Sequence, residues 1–212
     1  MSSWPEIIII SAGFLTLLIY HIHLVYKVKT APMSISIGMT NHLRREWVQT
    51  IMEEKRDILA VQTIRNWVMA SSFLASAAIL IGLGVLSAAF SAEKSFEISQ
   101  ALNLFGAKGK EMWLIKLMLL AVDFFFAFFN FALSIRYYTH ASFAINIPPS
   151  HDPTVTYDAV TKILNRGATH YTLGMRGYYL AVPFTLWMFG PVWMAIGTAV
   201  LIMILYKIDR MA

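Results

Sequence analysis

The sequence predicts an all-α integral membrane protein: a four-transmembrane-helix bundle with a long cytoplasmic extension of helix 2. Of its 212 residues, 58% are hydrophobic and only 14% are charged, whereas a soluble domain carries about 25% charged residues. A water-soluble fold of this length could not bury so much apolar surface. Four apolar runs are long enough to cross a hydrocarbon core about 30 Å thick. They cover residues 7–26, 67–90, 112–135 and 178–206 of a single membrane domain, residues 1–212.

The first run, residues 7–26, is predicted to be a retained span rather than a removed signal peptide. Its N-terminal flank has no positive charge, and no small-residue cleavage site follows it. Pro5 suits the first turn of a helix, because the N–H that proline lacks has no partner there.

The segment before the second span is predicted to be helical, either continuous with the span or joined to it at a bend. Residues 41–90 contain no proline, and Asn41 is a plausible N-cap. Apolar residues recur at near-helical spacing, and this stripe should pack against the chain's own later connection or a sister subunit. An interfacial helix on anionic lipid is the alternative. The stripe consists of Leu43, Trp47, Ile51 and Ile58.

The third span carries a polar stripe. Lys116, Asp123 and Asn130 are seven residues apart, and seven helical steps return to within about 20° of the start. Because a charge facing lipid is expensive, this face should point into the bundle. The stripe could fix helix register through an intramembrane salt bridge or hydrogen bond, or it could relay protons or cations.

Small residues mark the second and fourth spans as packing surfaces, within the chain or between subunits. Pro183 and Pro191 should kink the fourth span, most sharply at the Gly190–Pro191 pair. Gly197 lies further along the same helix. The small residues of the second span are Ser71, Ala75, Ala78 and Gly82.

The distribution of Lys and Arg predicts the orientation. The connections 27–66 and 136–177 are the most basic, so both are assigned to the cytoplasm. The membrane is expected to be the inner (plasma) membrane of the cell. Both termini then lie outside. The outer side would still carry five basic residues: Lys94, Lys108, Lys110, Lys207 and Arg210.

A cationic layer is predicted where the helices meet the cytoplasmic boundary. With Asp123 as the only nearby buried acid, this excess positive charge needs a counter-ion. A lipid headgroup, a ligand carboxylate or an inorganic anion could provide one, and Arg would bind it bidentately. The ordinary alternative is basic side chains that snorkel to headgroups. The layer consists of His21, Arg65, Asn66, Arg136, His140 and Arg176.

No metal site, catalytic constellation or nucleic-acid partner is predicted. The chain has no cysteine, which excludes disulfides, cysteine-ligated zinc, iron–sulfur clusters and covalently attached c-type haem. A b-type haem needs two facing imidazoles. His21 and His23 are two residues apart and point about 200° away from each other, so the second ligand would have to be His140 or His170.

Four segments then indicate a family. They are AVQTIRNWVMA at 60–70, SIRYYTH at 134–140, GMRGYY at 174–179 and WMFGP at 187–191. In these segments the chain resembles the uncharacterised membrane proteins called domain of unknown function 599. The resemblance covers nearly the whole chain and implies a four-span membrane protein of bacterial type. It implies no activity, substrate or cofactor.

The leading hypothesis is a non-enzymatic membrane protein whose basic layer binds lipid headgroups or another anion. It would act as a homo-oligomer or as an accessory subunit of a larger membrane assembly. One alternative is a homo-oligomeric channel or transporter that uses the polar stripe of the third span. Another is a redox protein that binds haem b or a quinone.

Overall fold

The computed structural model describes residues 4–90, 109–148 and 150–210. Within these ranges the chain forms α1 (Trp4–Thr30), a 3-10 turn (Pro32–Ser34), α2 (Ser36–Glu53), α3 (Asp57–Phe90), α4 (Lys110–Ala144), α5 (Tyr157–Trp187) and α6 (Pro191–Asp209). Four of these helices, α1, α3, α4 and α6, are long and apolar enough to cross a membrane. The predicted all-α class with four candidate spans is therefore confirmed. Lys94 and Lys108 lie outside the described residues.

Helices α3 and α4 form an antiparallel pair along their full length. At one end Ala89 packs with Trp113, and further along the hydroxyls of Ser71 and Ser134 are 3.4 Å apart. The predicted small-residue stripe of α3 is buried in this interface. It therefore serves packing within the chain, and it no longer supports a contact between subunits.

Helix α5 packs antiparallel against α4, and two of its glycines bring the helices together. A Cβ on Gly174 would lie 2.8 Å from the Phe131 ring, and one on Gly167 would lie 2.8 Å from the Tyr138 ring. Helix α5 is not among the four most apolar helices. Its neighbours α4, α6 and α2 cover much of its surface, and Thr161 and Arg176 are buried against them, whereas Lys162 and Arg166 in its first half are exposed.

The predicted fourth span, residues 178–206, is not one helix. Helix α5 ends at Trp187, and α6 begins at Pro191, a favourable first residue for a helix. Between them Gly190 has φ of 131°, a conformation that side-chain-bearing residues rarely adopt. Helix α6 then returns along α5, with Gly197 beside Pro183. The predicted bend is in the right place, but it is a reversal of direction.

This reversal changes the path of the chain. The described residues contain five antiparallel lengths, α1, α3, α4, α5 and α6. Helix α1 passes the α5–α6 turn near its start, with the Phe14 and Trp187 rings 6.1 Å apart. Helix α6 ends beside the later half of α1, where the Tyr20 hydroxyl donates to Asp209 at 2.6 Å. The described chain therefore begins and ends at opposite ends of the bundle.

The predicted helical extension of helix 2 is not continuous with the span, since α2 and α3 are separate helices. Helix α2 ends at Glu53, and Lys55 adopts a positive φ of 53°. The N–H of Arg56 then donates to the carbonyl of Ile51 at 3.1 Å, which is the long hydrogen bond of a Schellman motif. This motif normally uses glycine, so Lys55 does not indicate it in the sequence. Helix α3 is still about 50 Å long at 1.5 Å per residue, well beyond a hydrocarbon core.

Helix α2 packs on the first half of α5, as its apolar stripe predicted. Val48 and Ile51 are buried in one cluster with Leu164 of α5. Leu43 and Ile58 do not join it, because their side chains are 57% and 77% exposed. The stripe therefore contacts the chain's own later connection through part of its length only.

Candidate functional site

A wedge-shaped cavity of about 470 Å³ lies between α1, α2, α5 and the end of α6. Helix α1 packs on α6 and on the 3-10 turn, whereas α2 packs on α5. The two helices therefore diverge from the short connection that joins them. The polar lining includes His21, Lys29, Asn41, Arg44, Arg176 and Asp209. The apolar lining includes Leu24, Val25, Val28, Ile37, Leu173 and Ile208. We call this space the wedge cavity.

One end of the wedge cavity is closed by a buried ion pair. One terminal nitrogen of Arg176, on α5, donates to both carboxylate oxygens of Asp209, on α6, at 2.8 and 2.7 Å. The residues are only 8% and 7% exposed. Helix α1 joins through Tyr20, whose hydroxyl donates to Asp209, and through His21, whose Nε2 lies 3.4 Å from Arg176. Three helices are tied together at this point.

Asp209 is the functional candidate that the sequence reasoning missed. The predicted fourth span placed the C-terminal segment on the other side of the membrane from Arg176, so Asp209 was not considered as its partner. The available signal was a lone carboxylate that ends an apolar helix. The reversal at Gly190 is what brings it back to Arg176.

The other end of the wedge cavity holds Arg44. Its Nη1 donates to the side-chain oxygens of Asn41, at 2.9 Å, and Asn165. Both partners are neutral, and burial lowers the pKa of the Arg44 guanidinium below its usual value. No carboxylate among the described residues forms an ion pair with Arg44. A partly buried cation held by neutral amides gains stability from an added anion.

The lining of the wedge cavity is cationic as a whole. Lys29, Arg44 and Arg176 carry three positive charges, and Asp209 carries one negative charge, which leaves a formal charge of +2. Asp209 already neutralises Arg176. The uncompensated charge therefore belongs to Arg44 and Lys29.

The structure divides the predicted cationic layer into two groups. Arg176 and His21 meet in the wedge cavity. The other four residues are exposed on the outer faces of α3 and α4 and do not line the cavity. Exposed cations at such positions can extend towards headgroups without forming a defined site. These four are Arg65, Asn66, Arg136 and His140.

The polar stripe of α4 points inward. Lys116, Asp123 and Asn130 are 3%, 8% and 6% exposed. Lys116 donates to the carbonyl of Trp187 at 3.0 Å, where a cation stabilises the C-terminal carbonyls of α5. Asn130 lies 3.0 Å from Nδ1 of His170. For one oxygen of Asp123, Oδ2, the described residues provide no hydrogen-bond partner.

The three stripe residues meet α5 at separate heights. Successive members are about 10 Å apart along the helix axis at 1.5 Å per residue. Lys116 binds at the end of α5, Asp123 lies next to Gly177, and Asn130 binds near its middle. This arrangement favours a role in setting the register of α4 against α5 over a continuous path for ions.

Two of the candidate haem ligands, His21 and His170, are engaged in other contacts. Nδ1 of His21 lies 2.8 Å from the carbonyl of Leu17, and its Nε2 faces Arg176. His170 stacks on Tyr137 and contacts Asn130. A haem iron at His21 would therefore have to displace the Arg176 contact. The described residues contain no cluster of three or more His, Asp or Glu side chains that could hold a metal ion.

Comparison with known proteins identifies the family of the chain. No curated protein and no solved structure matches it. A family model described as a protein of unknown function, DUF599, matches residues 8–212. Because this match covers nearly the whole chain, the protein belongs to the DUF599 family, as the four sequence segments indicated.

Proposed function

We propose that this chain is a non-enzymatic membrane protein that binds the acidic group of a lipid, or another anion, in the wedge cavity. The observation that carries the proposal is Arg44, a partly buried cation whose hydrogen-bond partners among the described residues are neutral amides. The cavity volume of about 470 Å³ lies within the usual range for ligand sites, about 300–1,000 Å³.

The anchor residues of this proposal differ from those that the sequence singled out. Arg44 and Lys29 hold the uncompensated charge, and Asn41 offers an amide beside them. Arg176 shapes the far end of the cavity while its charge is neutralised by Asp209. Charged hydrogen bonds are about twice as strong as neutral ones, so the anion should bind at the Arg44 end.

The proposal includes an orientation. With α5 as a fifth crossing length, the N-terminus faces outward and the end of α6 faces the cytoplasm. Lys207 and Arg210 then join the basic connections on the cytoplasmic side, which satisfies the positive-inside rule better than the four-span prediction. A polar α5 is acceptable in a bilayer because Arg176 is paired and faces protein.

Cysteine labelling tests this orientation directly, since the chain has no cysteine of its own. Ser3→Cys and Ala212→Cys are made separately and treated with an impermeant maleimide in intact spheroplasts. We expect label at position 3 only, and label at both positions after the membrane is permeabilised. Equal labelling of the two positions in intact spheroplasts would contradict the five-length arrangement.

Lipid retention tests the binding site. The protein is purified in mild detergent, and bound anionic lipid is measured by native mass spectrometry. Arg44→Gln removes one charged hydrogen-bonding partner, which is worth about 1.5–3 kcal/mol. The variant should therefore retain anionic lipid about tenfold more weakly, or weaker still.

Arg136→Gln is the matched control, because it removes the same charge from an exposed site outside the wedge cavity. It should retain lipid like the parent protein. If Arg44→Gln also retains the parent amount, or if both variants lose lipid equally, the wedge cavity is not the binding site.

A further inference from the structure

We infer that the ligand of the wedge cavity is an anionic amphiphile, with its acidic headgroup at Arg44 and Lys29 and its acyl chain along the apolar half of the cavity. This inference rests on the proposed function and specifies the ligand class. It favours a membrane lipid over a water-soluble anion of the same headgroup chemistry.

The first argument is the composition of the walls. Six of the lining residues are aliphatic, and they come from α1, α2, α5 and α6, so apolar surface is present on every side. An inorganic ion or a small polar metabolite would leave these side chains in contact with water. An acyl chain would remove them from water, at about 25 cal/mol for each Å² of apolar surface buried.

The second argument is the order of residues along α1 and α2. Both helices run towards the end of the bundle where α5 begins, which we call the basic end. On α1, Phe14 lies near Trp187 and His21 lies near Arg176. At the start of α2, Ile35 pairs with Arg210 at a similar height, and Arg44 contacts Asn165, further towards the start of α5. On α1, Val25 precedes Lys29, and on α2, Ile37 precedes Arg44.

Helix α5 runs in the opposite direction, and there Leu173 follows Thr169. On these helices the aliphatic residues therefore lie between the free charges and the neutralised Arg176–Asp209 pair that closes the inner end. The free charges lie nearer the basic end. A lipid of the cytoplasmic leaflet has the same polarity, with its headgroup at the surface and its chain pointing inward.

The third argument is a lateral opening. Helices α1 and α2 diverge after the 3-10 turn, and neither packs along the other. Val25 lines the cavity and is 55% exposed on a helix that is apolar enough to span a membrane. The apolar half of the cavity is therefore accessible from the hydrocarbon region, which gives an acyl chain a route that avoids water.

Two soluble probes separate the headgroup from the chain. Lysophosphatidic acid and glycerol 3-phosphate carry the same phosphate monoester on glycerol, but only the first carries an acyl chain. Binding of each probe to the purified protein is measured by calorimetry. The detergent concentration is kept low enough that detergent does not compete with the probe for the cavity. Since each buried methylene contributes about 0.8 kcal/mol, we expect at least about a hundredfold tighter binding of the acylated probe. Equal affinities would overturn the inference.

Two variants separate this inference from the proposed function. Leu173→Trp fills the apolar half and should reduce the affinity for the acylated probe at least tenfold, without changing that for glycerol 3-phosphate. Arg44→Gln should weaken both. Leu133→Trp, on a partly exposed leucine of α4 outside the cavity, is the matched control.

Each outcome decides one claim. If Arg44→Gln weakens both probes but Leu173→Trp weakens neither, the anion site stands and the acyl-chain inference fails. If Arg44→Gln weakens neither, the proposed function fails. Should Leu173→Trp not fold, a series of probes with chains of increasing length replaces it, and an affinity that does not rise with chain length contradicts the inference.

Discussion

The two sides of this bundle have similarly apolar sequences but are packed differently. In the α3–α4–α5 core, Gly167 and Gly174 of α5 face aromatic rings of α4 and leave no room for a methyl group. At the α1–α2 edge, the helices diverge around a cavity of about 470 Å³. The most apolar window of α4 is 39% buried in the chain, against 17% for α1. Hydropathy alone therefore does not distinguish a packed scaffold from the open wall of a ligand site.

The two sides are also held by different forces. The core depends on shape, since close contact between α4 and α5 requires small residues such as Gly167 and Gly174. The edge combines apolar packing of Leu17 against α6 with polar contacts, because Tyr20 and His21 attach α1 to the Arg176–Asp209 pair. Substitutions in the two regions can therefore distinguish the loss of close helix packing from the loss of a buried ion pair.

The largest effect is expected from Asp209→Asn. The change leaves Arg176 buried without a counter-ion and weakens the attachment of α1. Removing one partner of a buried pair costs about 3–5 kcal/mol. Unfolding of the purified protein in detergent should show this loss of stability, together with faster proteolysis of α1 than of α4.

Asp158→Asn is the control for that change. Asp158 pairs with Arg45 at 2.8 Å, but its side chain is 73% exposed. Exposed pairs contribute about 0–1 kcal/mol and weaken with salt. Equal destabilisation by the two substitutions would show that the buried pair does not hold the edge.

A smaller effect is expected from Gly174→Ala in the core. The new Cβ would lie 2.8 Å from the Phe131 ring, and such overpacking costs about 1–3 kcal/mol. The melting temperature should fall even though alanine is the better helix former. Binding to the wedge cavity should be unchanged at temperatures where the variant is folded.

Gly84→Ala is the matched change in α3, where a new Cβ meets nothing within 4 Å. It should leave the melting temperature unchanged or raise it. If Gly174→Ala is as stable as Gly84→Ala, the close approach of α4 and α5 does not depend on the missing side chain.

The sequence predicted those features that depend on composition and helical period. Long apolar runs predicted the class, and the seven-residue spacing of Lys116, Asp123 and Asn130 predicted their burial on one face. Small residues marked α3 as a packing surface, although their partner turned out to be α4 rather than another subunit. Each of these predictions uses local spacing only.

The remaining features depend on tertiary contacts that local spacing cannot show. Lys55 ends α2 in a conformation usually taken by glycine. A Gly-Pro pair can bend a helix or reverse the chain, and here the packing of α6 against α5 and α1 accompanies a reversal. Because Asp209 follows that reversal, the Arg176 pair and the wedge cavity could not be located before it was known.

The Arg176–Asp209 pair also has a consequence for how the chain enters the bilayer. The two residues are 33 positions apart, so Arg176 leaves the ribosome well before its counter-ion. A helix with an unpaired arginine partitions poorly into lipid. If α5 crosses the bilayer as proposed, we expect it to remain beside the earlier helices, or at the insertion machinery, until α6 follows it. The hairpin of α5 and α6, rather than either helix alone, would then be the unit of membrane integration.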